Sequence, residues 1–334
     1  MVFSAVFSLR KQTMRTRCFV AILIASTAVF AASLRAQQTA SAGSLPIAEL
    51  QKLAETGDPA AQNELGVRYR LGTDVEKDPA KAVTWYLKAA RQGYAKAYFN
   101  LGAAYYNGDG VPVNTDNSCA YFILASDAGD ERGSGALART RSENSVKEMN
   151  RCEVLAATVY LKGDVIKQNY GKAIQWYMAA ADAGDGFACE RIAHLYDQGI
   201  GVAVDRQASL RWLERASRLD YAPAVYELGA VYDEGKGVAA DLKKARMFYE
   251  RAASLAVVQA FTALGGMYKD GRGVTPDREK ALAYYLVAAN SDDPEAKRNS
   301  DELSAQLSAK QVREARQMAR KLALQTKSPV LLRR

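Results

Sequence analysis

Apolar residues three and four apart recur along most of the chain, in blocks of about a dozen residues divided by short runs of Gly, Asp and Asn. That spacing predicts amphipathic helices arranged as consecutive pairs. In residues 61–69, Ala61, Leu65 and Tyr69 lie four apart and share one face. Residues 81–90 give a second helix, in which Trp85 and Tyr86 stand among small residues such as Ala82, Ala89 and Ala90. Gly72 lies just past the first of these blocks, where a left-handed helix end is expected, and Asp78 precedes the second as a helix N-cap.

The pair then repeats. Leu65-Gly66, Leu101-Gly102, Ile192-Ala193, Leu228-Gly229 and Leu264-Gly265 fall on a 36-residue period within each series, and Ala156-Ala157 lies one period before Ile192. Four residues after each leading position stands a tyrosine: Tyr69, Tyr105, Tyr160, Tyr196, Tyr232 and Tyr268. Three further on stands a glycine: Gly72, Gly108, Gly163, Gly199, Gly235 and Gly271. An Asx residue then precedes each second helix: Asp78, Asn114, Asn169, Asp205, Asp241 and Asp277. Coincidence in all six units rules out composition as the cause and makes one repeated helix hairpin the unit of the fold.

This pattern resembles the Sel-one-like repeat family, an α/α relative of the tetratricopeptide repeats; residues 172–181 followed by Gly184 are especially close to that family's second helix. The resemblance spans roughly residues 47–290. It implies an all-α, right-handed α/α solenoid of six helix-turn-helix repeats, used as a protein-interaction scaffold. The expected organisation is a leader over 1–36, a linker over 37–46 and an N-terminal cap over 47–58. Repeats one and two follow over 59–130, an inserted segment over 131–150, and repeats three to six over 151–290. Capping helices over 291–325 and a basic tail over 326–334 complete the chain. The insertion, polar and helix-compatible, either forms an extra helix or lengthens the next one. Asp74 and Val165 stand where other units carry the second loop glycine, so those two turns are expected to differ.

The net charge of +8 suggests nucleic acid until it is located. Residues 1–36 hold Arg10, Lys11, Arg15, Arg17 and Arg35 without an acid, and residues 308–334 hold eight cations against Glu314. The body between is left at −4, which is no surface for a phosphate backbone. Arg15-Thr16-Arg17, an apolar run over 18–30 and a small-residue segment ending at Ala36 read as an export signal, with Met14 an alternative start. The run falls short of the roughly 20 residues that span a bilayer. A periplasmic or secreted protein, without a membrane span once the leader is cleaved, is expected.

Enzyme signatures are missing. No His-Glu-x-x-His, Cys-x-x-Cys or Gly-x-Ser-x-Gly occurs, and the Gly229–Gly235-Lys236 stretch misses a phosphate loop in both spacing and final residue. His194 is the one histidine, and no catalytic or metal constellation and no cofactor is expected. The functional expectation is a non-enzymatic scaffold of the bacterial cell envelope that holds a protein or peptide in its concave groove. A peptidoglycan or β-lactam hydrolase of the envelope is the alternative. If the first helices line that groove, as the resemblance implies, positions −5, −2, +2 and +5 about each leading residue face it. They collect Phe99, Tyr106, Phe187, Glu190, His194, Asp197, Tyr226 and Asp233, aromatics beside acids suited to a basic peptide group. Three cysteines remain after leader removal, Cys119, Cys152 and Cys189. Cys119–Cys152 or Cys152–Cys189 are the candidate bridges, although Cys152 stands at a small-residue position and simple packing is favoured there.

Overall fold

The computed structural model describes residues 42–326, which form sixteen α-helices and, among the described residues, no strand. The leader and the basic tail beyond residue 326 lie outside the described residues. The helices fall into two compact units. The first runs to Glu143 and takes in Lys162–Gln168; the second comprises Asn144–Leu161 and the chain from Asn169 onward.

The first unit contains α1 (Ile47–Glu55), α2 (Pro59–Leu71), α3 (Pro79–Arg91), α4 (Ala95–Asn107), α5 (Thr115–Asp127) and α6 (Glu131–Glu143). Helices α2/α3 and α4/α5 are the first two hairpins. Helix α1 buries Leu50 and Ala54 against α2, and α6 lies on α5. The second unit begins with α7 (Val146–Lys162) and α8 (Tyr170–Asp182). Three more hairpins follow: α9 (Gly186–Gln198) with α10 (Arg206–Arg218), α11 (Ala222–Glu234) with α12 (Leu242–Ser254), and α13 (Val258–Asp270) with α14 (Arg278–Ala289). Helices α15 (Pro294–Gln306) and α16 (Ala309–Gln325) both pack on α14. The chain is an all-α solenoid. The insertion does both things that its sequence allowed: α6 is an extra helix, and α7 at 17 residues outruns the 13 of α9.

Each hairpin is closed in the same way. The side chains of Asp78, Asn114, Asn169, Asp205, Asp241 and Asp277 each accept a backbone N–H in the first turn of the second helix. Their own N–H groups donate back to the carbonyls of Tyr69, Tyr105, Tyr160, Tyr196, Tyr232 and Tyr268, at 2.8–3.0 Å. One residue therefore satisfies an open donor of the second helix and an open acceptor in the last turn of the first. Three of the tyrosine rings stack on an aromatic of the second helix: Tyr105 on Tyr121 and Tyr232 on Phe248, with centroids 5.7 Å apart in both pairs, and Tyr268 on Tyr284 at 5.6 Å.

The small residue after the leading position has a specific partner. A Cβ on Gly66, Gly102, Gly229 or Gly265 would come within 2.5–2.6 Å of the ring of Tyr86, Phe122, Tyr249 or Tyr285, each 20 residues downstream. Where alanine replaces it at Ala193 the residue 20 downstream is the narrower Leu213, whereas Ala157 has Tyr177 at that spacing, so one hairpin accommodates a methyl opposite a ring. The second loop glycine is set by the preceding repeat. Gly110, Gly201, Gly237 and Gly273 lie, all at positive φ, against Pro79, Tyr170, Arg206 and Leu242, the first residues of earlier second helices. Asp74 belongs to the first repeat, which has no such helix before it, and takes φ +58° with its carboxylate on Arg68 at 2.7 Å.

The cysteines correct the packing expectation for Cys152. Cys119 and Cys152 each stand in a disulfide, whereas Cys189 is a buried free thiol, which excludes a Cys152–Cys189 bridge. Cysteine is small enough to fill the alanine site, and Cys152 does so at 1% exposure while its sulfur is also oxidised.

Candidate functional site

The eight residues of the expected stripe divide between the units. Phe99 and Tyr106, both on α4, belong to the first; the other six belong to the second. Phe99 is half-buried, its ring 5.7 Å from Phe122 with the Arg132 guanidinium 4.4 Å from its centroid. Tyr106, 60% exposed, is the one open aromatic of the four. Phe187 sets its ring edge to face with Tyr221 at 6.2 Å, and Tyr226 tilts onto Tyr249 at 5.6 Å. The stripe is thus less aromatic at its surface than the spacing suggests, because its edge positions reach neighbouring helices.

The acids of the second unit are better gathered. Glu190 and His194 stand four apart on α9, one turn above the other on a single face. Glu227 projects from α11 to meet them: its Oε2 lies 3.5 Å from His194 Nε2. One ligand-type atom from each of Glu190, His194 and Glu227 lies within 4.8 Å of the others. Glu190 is only 6% exposed, and its Oε2 accepts from Arg191 Nη2 at 2.7 Å and Nε at 3.2 Å. Burial holds the Glu227 carboxyl above the ordinary glutamate range; His194 opposes that rise and Glu190 reinforces it. Asp197, one turn beyond His194, is exposed.

Further along the same unit, Tyr226 and Asp233 line a cleft of about 430 Å³ with Thr262, Arg272, Tyr285, Asp293 and Glu295. Asp233 is paired with Arg272 and accepts from the Tyr249 hydroxyl at 3.5 Å, so its charge is largely answered from within. Thr262 donates to Asp293 at 2.8 Å across the cleft. At α9 and α11 the pairings are Arg191 on Glu190 at 2.7 Å, His194 facing Glu227 at 3.5 Å and Arg206 no nearer to Asp197 than 4.0 Å. Glu227 escaped the stripe, since it lies one residue before Leu228 and not at an offset of two or five. The signal that marks it is the same offset in the first repeats, where Glu64 and Asn100 are also polar.

The Sel1 repeat family model matches residues 59–94, 95–130, 152–185, 186–221, 222–257 and 260–293, well over half of the chain. A sel1-like repeat-containing protein of Acanthamoeba polyphaga mimivirus is 30% identical over 160 residues, covering 48% of this chain and 25% of that protein. An ERAD-associated E3 ubiquitin-protein ligase component of Arabidopsis thaliana is 26% identical over 183 residues, 46% of this chain and 27% of that one. The matches thus span about a quarter of the length of these two curated relatives. Among solved structures, a Sel1 repeat protein from Oxalobacter formigenes is 30% identical, with 74% of this chain and all of that chain covered at a TM-score of 0.44.

Proposed function

Since the chain belongs to the Sel1 repeat family, we propose that it is a non-enzymatic scaffold that holds a protein or peptide partner, with the faces of α9 and α11 as the contact surface. The observation that carries this reading is the gathering of acids and aromatic rings at that face. Glu190, Asp197 and Glu227 meet Arg191, Arg206 and a single histidine, with Arg206 no nearer to Asp197 than 4.0 Å, beside the half-buried rings of Phe187 and Tyr226. Such a surface selects a basic side chain by charge and holds its aliphatic stem on aromatic rings. The Arabidopsis relative is a component of a ubiquitin-protein ligase, which accords with a working role inside an assembly. The basic, apolar and small segments of residues 10–36 support export to the periplasm or the cell exterior.

An array of peptides graded from acidic to basic, probed with residues 37–334, tests the reading. Basic peptides are expected to be retained at low salt and released on raising it, and Asp197→Lys is expected to abolish retention with unchanged melting. Equal retention of acidic peptides, or retention indifferent to Asp197→Lys, overturns it. N-terminal sequencing of exported protein tests the leader, with a start near Gln37 expected and an intact Met1 or Met14 against it.

A further inference from the structure

We infer that Glu190, His194 and Glu227 form a three-ligand site for one divalent transition-metal ion of the zinc type. The site shares Glu190 and Glu227 with the surface proposed above, so a bound cation would neutralise the charge those two residues offer a basic peptide and leave Asp197 to offer it. Three donors converge from two helices, one nitrogen and two carboxylates, and this is a familiar ligand set for such an ion. Bonds of the usual length place neighbouring donors on a tetrahedral metal about 3.4 Å apart. His194 Nε2 and Glu227 Oε2 already stand at 3.5 Å, and the whole trio falls within 4.8 Å. Arg191 holds Glu190 through Oε2 and leaves Oε1 for the metal. Calcium and magnesium, which take six or more oxygens, are poorly served by a histidine and two carboxylates.

A second observation comes from the repeat itself. Counting from the leading position, Asn63 is the equivalent of Glu190, Val67 of His194 and Asn100 of Glu227. In the first unit that junction is closed without charge, as Asn100 Nδ2 donates to Asn63 Oδ1 at 2.8 Å. At the α9/α11 junction two carboxylates occupy the same places, where neither can donate to the other. Arg191 answers Glu190 at 2.7 Å and His194 faces Glu227 at 3.5 Å, and a divalent cation held by the trio would neutralise both carboxylates more fully. The solenoid itself does not require acids at this junction, since the first unit closes it with amides.

The test uses the purified chain stripped with chelator and titrated with zinc at neutral pH by calorimetry. One equivalent per chain is expected, with no heat from magnesium. His194→Gln and Glu227→Gln are each expected to weaken zinc at least tenfold, with circular dichroism confirming that both remain folded. Because His194 is the one histidine of the chain, its imidazole proton resonances provide a second reading, and they are expected to shift on zinc addition. Cobalt(II) at the same site is expected to give the intense visible absorption of a four-coordinate ion. Absence of heat, an unmoved imidazole signal, or unchanged affinity in both variants overturns the inference.

Discussion

At the residue scale, the repeat is written in pairs of positions whose sizes answer each other. Gly66 lies against the fully buried ring of Tyr86, and an added Cβ would sit 2.6 Å from it. Gly66→Ala is expected to cost about 1–3 kcal/mol in chemical denaturation, as overpacking does. Ala256 presents the opposite case. It closes α12 at φ +65°, where Gly93, Gly129 and Gly184 close three other second helices with open space around them. Ala256→Gly is expected to raise stability by about 1 kcal/mol through relief of the left-handed strain. Cys189 is buried and its thiol is held above the ordinary value by desolvation. It should resist alkylation in the folded chain and react in denaturant, while Cys119 and Cys152 stay unmodified until reduced; mass mapping of alkylated peptides checks both. Much of this scale was legible in the sequence, because a glycine, a tyrosine and an Asx residue recur with no exception. Glu227 was not, since an acid on a helix is ordinarily solvated and only the fold brings it to His194.

At the scale of elements, the Asx residues explain why the hairpin survives wide sequence change. Each joins two helices by a side chain and a backbone group at once, and an alanine keeps the backbone group while losing the cap. Asp205→Ala is expected to cost about 1 kcal/mol by denaturant titration, the typical value for an N-cap. Second helices are also tied to one another. Arg251 donates to the Ser217 carbonyl at 2.8 Å and pairs with Asp220, as Arg215 does with the Ala181 carbonyl and Asp182. Helix count and order were legible from periodicity. The fate of residues 131–150 was not, because a polar, helix-compatible stretch with few apolar anchors fits a separate helix and an extended one equally well. The exposure of Phe99, Phe187 and Tyr226 was not legible either. An offset fixes the face of a helix, but the distance to the next helix decides what covers that face.

At the scale of the whole molecule, the buried tyrosines set the alkaline limit. Desolvation pushes Tyr98, which donates to the Ala90 carbonyl at 2.9 Å, and Tyr285 up to about 12. A phenol whose folded pKa exceeds its unfolded value of 10 retains its proton longer in the folded chain. Stability is then undiminished below pH 10 and falls as pH rises through 10 towards 12. Tyrosine ionisation followed at 295 nm is expected to show a phase above pH 10 that coincides with loss of helix.

The second loop glycine gives the array a direction. Gly110, Gly201, Gly237 and Gly273 are shaped by what comes before them in the chain, and Asp74 fits only where nothing does. A repeat thus carries a record of its left-hand neighbour and imposes the same glycine on its right. The third repeat, with Val165 at that place, follows the inserted α6, and the first follows α1, so the glycine marks a hairpin that has another directly before it. A copy of repeat four, five or six set behind another hairpin in the interior would bring that glycine with it, whereas beyond α14 it would meet α15 and α16.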